Sequence, residues 1–173
     1  MQTGACFDAS GSYRYSLWRL WNADAPKVVF IMLNPSTADH QVNDPTIRRC
    51  LGFAQAWGYG RLEVVNLFSL RTPHPDLLRQ GADPVGDHCD EYIQTAAQQA
   101  DRIIVAWGNW GSFRGRDQAV IRLLAGYDLH CLGYNQSGQP RHPLYLRRDV
   151  QPMPYVSYAC PKPSTHSRIK VLT

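Results

Sequence analysis

Three apolar runs of strand length, each followed by a segment with helical spacing, limit the folds open to this chain. The runs occupy 28–33 (VVFIML), 62–68 (LEVVNLF) and 103–107 (IIVAW). Continuous apolar strands are typical of a sheet that is covered on both faces, because the usual apolar–polar alternation is then lost. The alternation of strand and helix predicts an α/β fold: a three-layer α/β/α sandwich with a short, mainly parallel central sheet.

The helical segments carry recognisable start and stop signals. Asp44-Pro45 places a capping carboxylate before a proline at the first helical position, and Gly58 follows the last apolar residue of that segment. Asp83-Pro84 repeats this arrangement and predicts the start of a second helix. Three further elements are predicted: an edge strand over 13–21, a helix over 116–125 and a short strand over 129–132.

Length and composition indicate one folded domain over residues 1–173. The chain has 173 residues, of which 44% are hydrophobic and 18% charged, as is usual for a globular domain. No run approaches the roughly 20 apolar residues of a membrane span. The first residues lack the basic and apolar regions of a signal peptide. We therefore expect a cytoplasmic protein with no membrane partner.

The spacing of the cysteines and the absence of known phosphate-binding motifs predict that the protein has no metal site and no cofactor. The five cysteines, Cys6, Cys50, Cys89, Cys131 and Cys160, are widely spaced, and the sequence has no CxxC pair and no zinc-type spacing with histidine. The sequence also contains no Walker-type loop, no GxGxxG after the first strand and no GxSxG elbow. We expect reduced, mostly buried thiols, and neither a nucleoside triphosphatase, a dinucleotide dehydrogenase nor an ordinary α/β-hydrolase.

Polar residues follow two of the strands at the edge where parallel sheets bind their ligands. Asn34 ends the first apolar run, directly before Pro35 and Ser36. It either closes a local turn or contacts a ligand. Asn66 lies inside the second run, where a buried amide needs a hydrogen-bond partner. It either satisfies a neighbouring loop or reads an amide-like edge such as that of a base.

Five more residues are candidates for the same site. Gly108 and Asn109 follow the third strand and either let a ligand approach the backbone closely or form a simple turn. His142 precedes a proline in a loop and can donate to a developing negative charge, unless it is an ordinary loop histidine. Asp39 and Asp44 are candidate general bases, although a helix cap explains Asp44 better.

Positive charge is concentrated in the last part of the chain. The formal net charge is +4, and the stretch from residue 141 to the end holds six Lys and Arg residues against one acid, Asp149. Such a surface suits a phosphate-bearing partner. The alternative is a solvated basic tail.

Five separated segments carry a resemblance over nearly the whole chain: MLNPSTAD, NDPTIRRC, VVNLFSLRTPHP, AWGNWG and GQPRHPLYL, in this order. They closely resemble the bacterial domain-of-unknown-function family 1643. Their order is more distantly similar to that of the uracil-DNA glycosylase superfamily, whose members hold a short parallel sheet between helices. That similarity implies that Asn34 positions an attacking water, that Asn66 reads a flipped base and that His142 stabilises the leaving base.

These observations favour an N-glycosidase-like protein that acts on a base in DNA or in a nucleotide by water attack at the glycosidic carbon. The alternative is a non-catalytic nucleic-acid or nucleotide binding module on the same fold. Phe53 is a further candidate for stacking on the base. The expected substrate contacts are Pro35, Ser36, Asn66, Phe68, Gly108 and Asn109. The expected phosphate contacts are Arg141, Arg147 and Arg148.

Overall fold

The strands form one mixed sheet in the computed structural model, which describes residues 1–157. Within these residues the strands are β1 (Gln2–Phe7), β2 (Arg14–Leu20), β3 (Lys27–Met32), β4 (Arg61–Asn66), β5 (Arg102–Val105), β6 (Leu129–Cys131) and β7 (Met153–Pro154). They lie in the order β1-β2-β4-β3-β5-β6-β7.

The sheet is parallel at its centre and antiparallel towards both edges. β4, β3, β5 and β6 pair in parallel, as the strand–helix alternation predicts. The pairs β1–β2, β2–β4 and β6–β7 are antiparallel. The predicted α/β class is therefore confirmed, whereas the prediction that the sheet is short and mainly parallel is wrong. β1 was not predicted because its pairing with β2 is a backbone interaction, and its own sequence, QTGACF, shows no clear apolar alternation.

The described residues form three α-helices, and one of the two helix starts predicted from an Asp-Pro pair is correct. They are α1 (Pro45–Ala56), α2 (Cys89–Gln98) and α3 (Arg116–Leu123). The Asp44 carboxylate accepts the backbone N–H of Ile47 at 2.8 Å, which confirms the predicted cap of α1. The second predicted start is wrong. The Asp83 carboxylate accepts the N–H of Val85 at 3.0 Å in a turn, and α2 begins only at Cys89.

The core has two halves, one on each face of the sheet. Val28 and Phe30 of β3 pack with the apolar side of α1, whereas Val29 and Ile31 pack with α2 and α3. All residues of β3 are buried, which explains why its sequence is apolar at nearly every position.

Two further sequence predictions concern membrane-spanning helices and the state of the cysteines. None of the helices in the described part of the chain is long and apolar enough to cross a membrane. Cys6, Cys50, Cys89 and Cys131 are free thiols, and the first of them is only partly buried. Cys160 and the three basic residues beyond residue 157 lie outside the described residues.

Candidate ligand-binding site

A cavity of about 630 Å³ lies at the carboxyl ends of β3, β4 and β5. This volume falls within the roughly 300–1,000 Å³ of typical small-molecule sites. The loops that follow these three strands, together with the segment 135–146, contribute most of its lining. Eight of the candidate site residues named from the sequence line it: Asn34, Ser36, Asp44, Asn66, Gly108, Asn109, Arg141 and His142.

Asn34 is held in one orientation by two backbone carbonyls. Its side-chain nitrogen donates to the carbonyl oxygens of Pro35 and Thr72, each at 2.9 Å. Since an amide nitrogen carries two hydrogens, both are used, and the amide oxygen remains to accept a hydrogen bond from a ligand or a water. The Thr72 N–H also donates to the Pro35 carbonyl at 2.9 Å, so this arrangement ties together the loops after β3 and β4.

Asn66 presents a buried amide to the same cavity. It is the last residue of β4, pairs with Met32 of β3 and is only 2% exposed. Its side-chain oxygen has no hydrogen-bond partner within residues 1–157. An unpaired buried amide oxygen is unfavourable by about 1–3 kcal/mol, so a stable fold retains one only where something else offsets it. A ligand that donates a hydrogen bond there would supply that compensation.

Two loops meet to place His142 at the cavity. The backbone N–H of Gly108 donates to the carbonyl of Pro140 at 3.0 Å, which fixes the loop after β5 against the segment that leads to His142. Gly108 has φ 76° and ψ −168°, a conformation that favours glycine. A Cβ at this position would lie 3.8 Å from the Cβ of His142, so the two backbones approach closely.

The geometry around His142 makes it a neutral hydrogen-bond donor. The backbone N–H of Leu144 donates to Nδ1 at 3.2 Å, so the proton of the neutral ring lies on Nε2. Burial lowers the pKa of His142 below the ordinary value of 6.5, and the negative charge of Asp44 opposes this only in part. At neutral pH the ring therefore offers an Nε2–H group without a full positive charge.

Arg14 and Asp44 bring charge to the cavity wall. Arg14 is 2% exposed, donates from Nη1 to the Ala38 carbonyl at 2.9 Å, and has no acceptor for Nε among the described residues. Burial lowers the pKa of Arg14 to about 10, which leaves it protonated at neutral pH; Asp44 counteracts part of this shift. The Asp44 carboxylate both caps α1 and lines the cavity. Sequence reasoning missed Arg14 as a site residue, although an arginine within a strand-like apolar segment was a usable signal.

The aromatic rings that line the cavity differ from those predicted. Trp107, Trp110 and Tyr145 line it. The indole N–H of Trp107 donates to the side-chain oxygen of Gln139 at 2.7 Å, and the Arg79 guanidinium lies 4.2 Å from the ring centre of Trp110. The motif AWGNWG signalled the two tryptophans, whereas nothing in the sequence distinguished Tyr145 from other loop aromatics.

Four of the expected substrate and phosphate contacts lie outside the cavity lining, as does the candidate base Asp39. Pro35 is buried and contributes its carbonyl oxygen to the loop arrangement described above. Phe68 is fully buried in the core, where its ring contacts Phe113. Arg147 is exposed and forms an ion pair with Asp149 at 2.9 Å. Arg148 lines a different groove, along α1.

Phe53, the other candidate for stacking, is 1% exposed and packs in the core against Trp57. In the described part of the chain, no cluster of three or more His, Cys, Asp or Glu residues is arranged to hold a metal ion.

The fold and the site together define an α/β protein with a polar and aromatic ligand cavity at the carboxyl ends of its parallel strands. The chain belongs to the family described as protein of unknown function (DUF1643), whose model matches residues 14–144. The searches of curated proteins and of solved structures found no match.

Proposed function

We propose that the cavity binds a nucleobase and that the protein hydrolyses the N-glycosidic bond between this base and its sugar. The buried amide of Asn66, whose oxygen has no partner among the described residues, is the observation that supports this most directly. The edge of a nucleobase carries donors and acceptors that complement an amide. The rings of Trp110 and Tyr145 suit a planar ligand. The distant resemblance to the uracil-DNA glycosylase superfamily agrees with this proposal.

The proposed reaction is a displacement by water. The water oxygen forms a bond to the glycosidic carbon, the carbon–nitrogen bond breaks, and the base leaves with the bonding electron pair. Asn34 holds the water through its amide oxygen, and Asp44 accepts the proton that the water loses. His142 donates a hydrogen bond from Nε2–H to the departing base. This hydrogen bond stabilises the negative charge that develops on the base.

A second candidate function is recognition of the base without any reaction. One observation favours it: the Asp44 carboxylate already accepts the N–H of Ile47 at the start of α1. This hydrogen bond fixes the Asp44 carboxylate as the cap of α1, so one of its two oxygens is already engaged. In this alternative, Asn66 and the aromatic rings bind the base, and Asn34 serves to join the two loops.

Release of free base, detected by mass spectrometry, tests the proposal. The substrates are single- and double-stranded oligonucleotides that carry uracil, mismatched thymine, hypoxanthine or other modified bases, together with free nucleosides and nucleotides. The variants are Asn34→Ala and Asn66→Ala, and the control is Gln94→Ala on the exposed face of α2. We expect release by the wild-type protein and the control, and a loss of about a hundredfold or more in turnover for Asn34→Ala.

Other outcomes separate the two candidate functions. Binding that Asn66→Ala abolishes, without release from any substrate, would establish recognition without chemistry. A protein that neither binds nor cleaves any of these substrates would contradict both functions.

A further inference from the structure

A second groove, of about 500 Å³, lies along α1 beside the cavity. Arg48 and Arg49 of α1 line it, together with Arg148. None of these three side chains forms an ion pair with a carboxylate of residues 1–157. We call this feature the basic groove. Unpaired cations around a concave surface attract anions, and guanidinium groups suit phosphate because their planar N–H groups can bind two of its oxygens.

The basic groove adjoins the cavity. Pro45, the first residue of α1, lines both. The Nε atom of Arg49 lies 3.4 Å from the carbonyl oxygen of Pro143, so α1 contacts the segment that carries His142. Tyr145, on the same segment, is 86% exposed and lines the cavity. One extended ligand can therefore occupy the cavity and the groove at the same time.

Gly52 provides an independent observation that the groove is kept open. It lies in the interior of α1, is exposed and lines the basic groove. A Cβ added at Gly52 would meet nothing within 4 Å, so packing does not require glycine there. Glycine in a helix interior is less favourable than alanine. A close approach by a ligand along the helix is a physical reason for this choice of residue.

We propose that the substrate is a polynucleotide strand whose phosphates follow the basic groove while one of its bases enters the cavity. This inference rests on the proposed function and specifies its substrate, since a free nucleotide carries no further phosphates to reach Arg48 and Arg148. An acidic peptide would match the charge of the groove. It would offer no planar base for the cavity, whereas a strand presents a base and phosphates together.

Binding of a fluorescein-labelled single-stranded oligonucleotide of about 15 nucleotides, measured by anisotropy over a range of salt concentrations, tests the proposal. The groove variant is the double substitution Arg48→Gln and Arg148→Gln. The charge-matched control is Arg102→Gln with Arg122→Gln, at the start of β5 and the end of α3, away from the groove.

We expect the groove variant to bind about tenfold more weakly at moderate salt. Its plot of log affinity against log salt should be shallower by about 1.4, because two phosphate contacts at about 0.7 each are lost. The control should bind as the wild-type protein does. Equal affinity of the groove variant and the control would overturn the proposal. Displacement of the oligonucleotide by poly-L-glutamate at equal charge concentration would also overturn the proposal, because it would indicate an acidic protein partner.

A second pair of variants blocks the groove and leaves its arginines in place. Gly52→Glu adds a charged side chain within the groove, and Gln94→Glu adds the same charge on an exposed position of α2. We expect only Gly52→Glu to weaken oligonucleotide binding, with both variants showing wild-type circular dichroism. Unchanged binding by a folded Gly52→Glu protein would contradict the proposed path of the strand.

Base release distinguishes failure of this inference from failure of the proposed function. If both hold, the groove variant releases base from a free nucleotide at the wild-type rate and from a strand more slowly. Release from free nucleotide and strand alike, unaffected by the groove variant, would overturn the inference and leave the proposed function intact. Groove-dependent strand binding with no release from any substrate would overturn the proposed reaction and support the groove.

Discussion

The side-chain nitrogen of Asn34 donates a hydrogen bond to the carbonyl oxygen of Thr72, 38 residues further along the chain, at 2.9 Å. The same nitrogen donates its other hydrogen to the carbonyl oxygen of Pro35. One amide group therefore joins the loops that follow β3 and β4, and within residues 1–157 its oxygen remains available to the cavity. This explains why an asparagine ends the apolar run of β3: an aliphatic side chain could not satisfy the two carbonyls.

Replacing the Asn34 amide with a carboxylate should weaken this junction. In Asn34→Asp, a negative oxygen takes the place of the nitrogen and faces the carbonyls of Pro35 and Thr72. We expect the free energy of unfolding to fall by about 1–3 kcal/mol at neutral pH, measured by urea denaturation. Asn135→Asp is the matched control, since Asn135 also lines the cavity and undergoes the same chemical change. Equal losses in the two variants would show that the two carbonyl contacts of Asn34 are unimportant.

The lowered pKa of His142 should make folding stability depend on pH. Burial favours the neutral ring in the folded state, whereas the unfolded chain takes up a proton near the ordinary pKa of 6.5. The unfolded state then binds more protons below that pH, so the contribution of His142 to stability is present above pH 6.5 and is lost as the pH falls towards the lower pKa of the folded state.

The variant His142→Gln removes this titration and isolates it from other groups. We expect the difference in unfolding free energy between wild type and variant to change between neutral pH and pH 5, with wild type losing more stability on acidification. Parallel pH profiles for the two proteins would contradict a lowered pKa. His88→Gln serves as the control, because His88 is exposed and lies on the far side of the sheet from α1.

The sequence predicts those parts of the fold that depend on local chemistry. Asp44-Pro45 sets the start of α1 because the cap needs only the next few residues, and β3 is recognisable because burial on both faces demands apolar residues. β1 escapes prediction because its place is set by pairing with β2, not by its own pattern. Asp83-Pro84 misleads because the same side chain that caps helices also closes a turn.

In the candidate site, too, the sequence predicts some residues and misses others that depend on tertiary packing. The rule that ligands bind beyond the carboxyl ends of parallel strands correctly predicts that Asn34 and Asn66 lie around one cavity. Arg14 lies on the antiparallel strand β2, for which this rule makes no statement. Phe68 follows β4 too, but its side chain enters the core, and only the three-dimensional packing shows this.

Replacing Asn66 with an apolar residue of similar size should separate stability from function. Asn66→Leu removes a buried oxygen that has no partner within the described residues. We expect the free energy of unfolding to stay within about 1 kcal/mol of wild type or to rise, because removing an unsatisfied polar group offsets imperfect packing. Thermal and urea denaturation measure this, and base release or ligand binding should be lost. A large loss of stability would indicate that the Asn66 amide holds the fold instead of a ligand.

The last prediction concerns two glycines, Gly52 in the interior of α1 and Gly60 directly before β4. Gly52→Ala should raise the free energy of unfolding by about 0.5–1 kcal/mol, because alanine is the better helix former and its Cβ meets nothing within 4 Å. Gly60→Ala should lower it by about 1–3 kcal/mol, because a Cβ there would lie 2.0 Å from the Asn22 carbonyl oxygen. Urea denaturation of both variants measures these changes. A destabilising Gly52→Ala would contradict the open space beside α1.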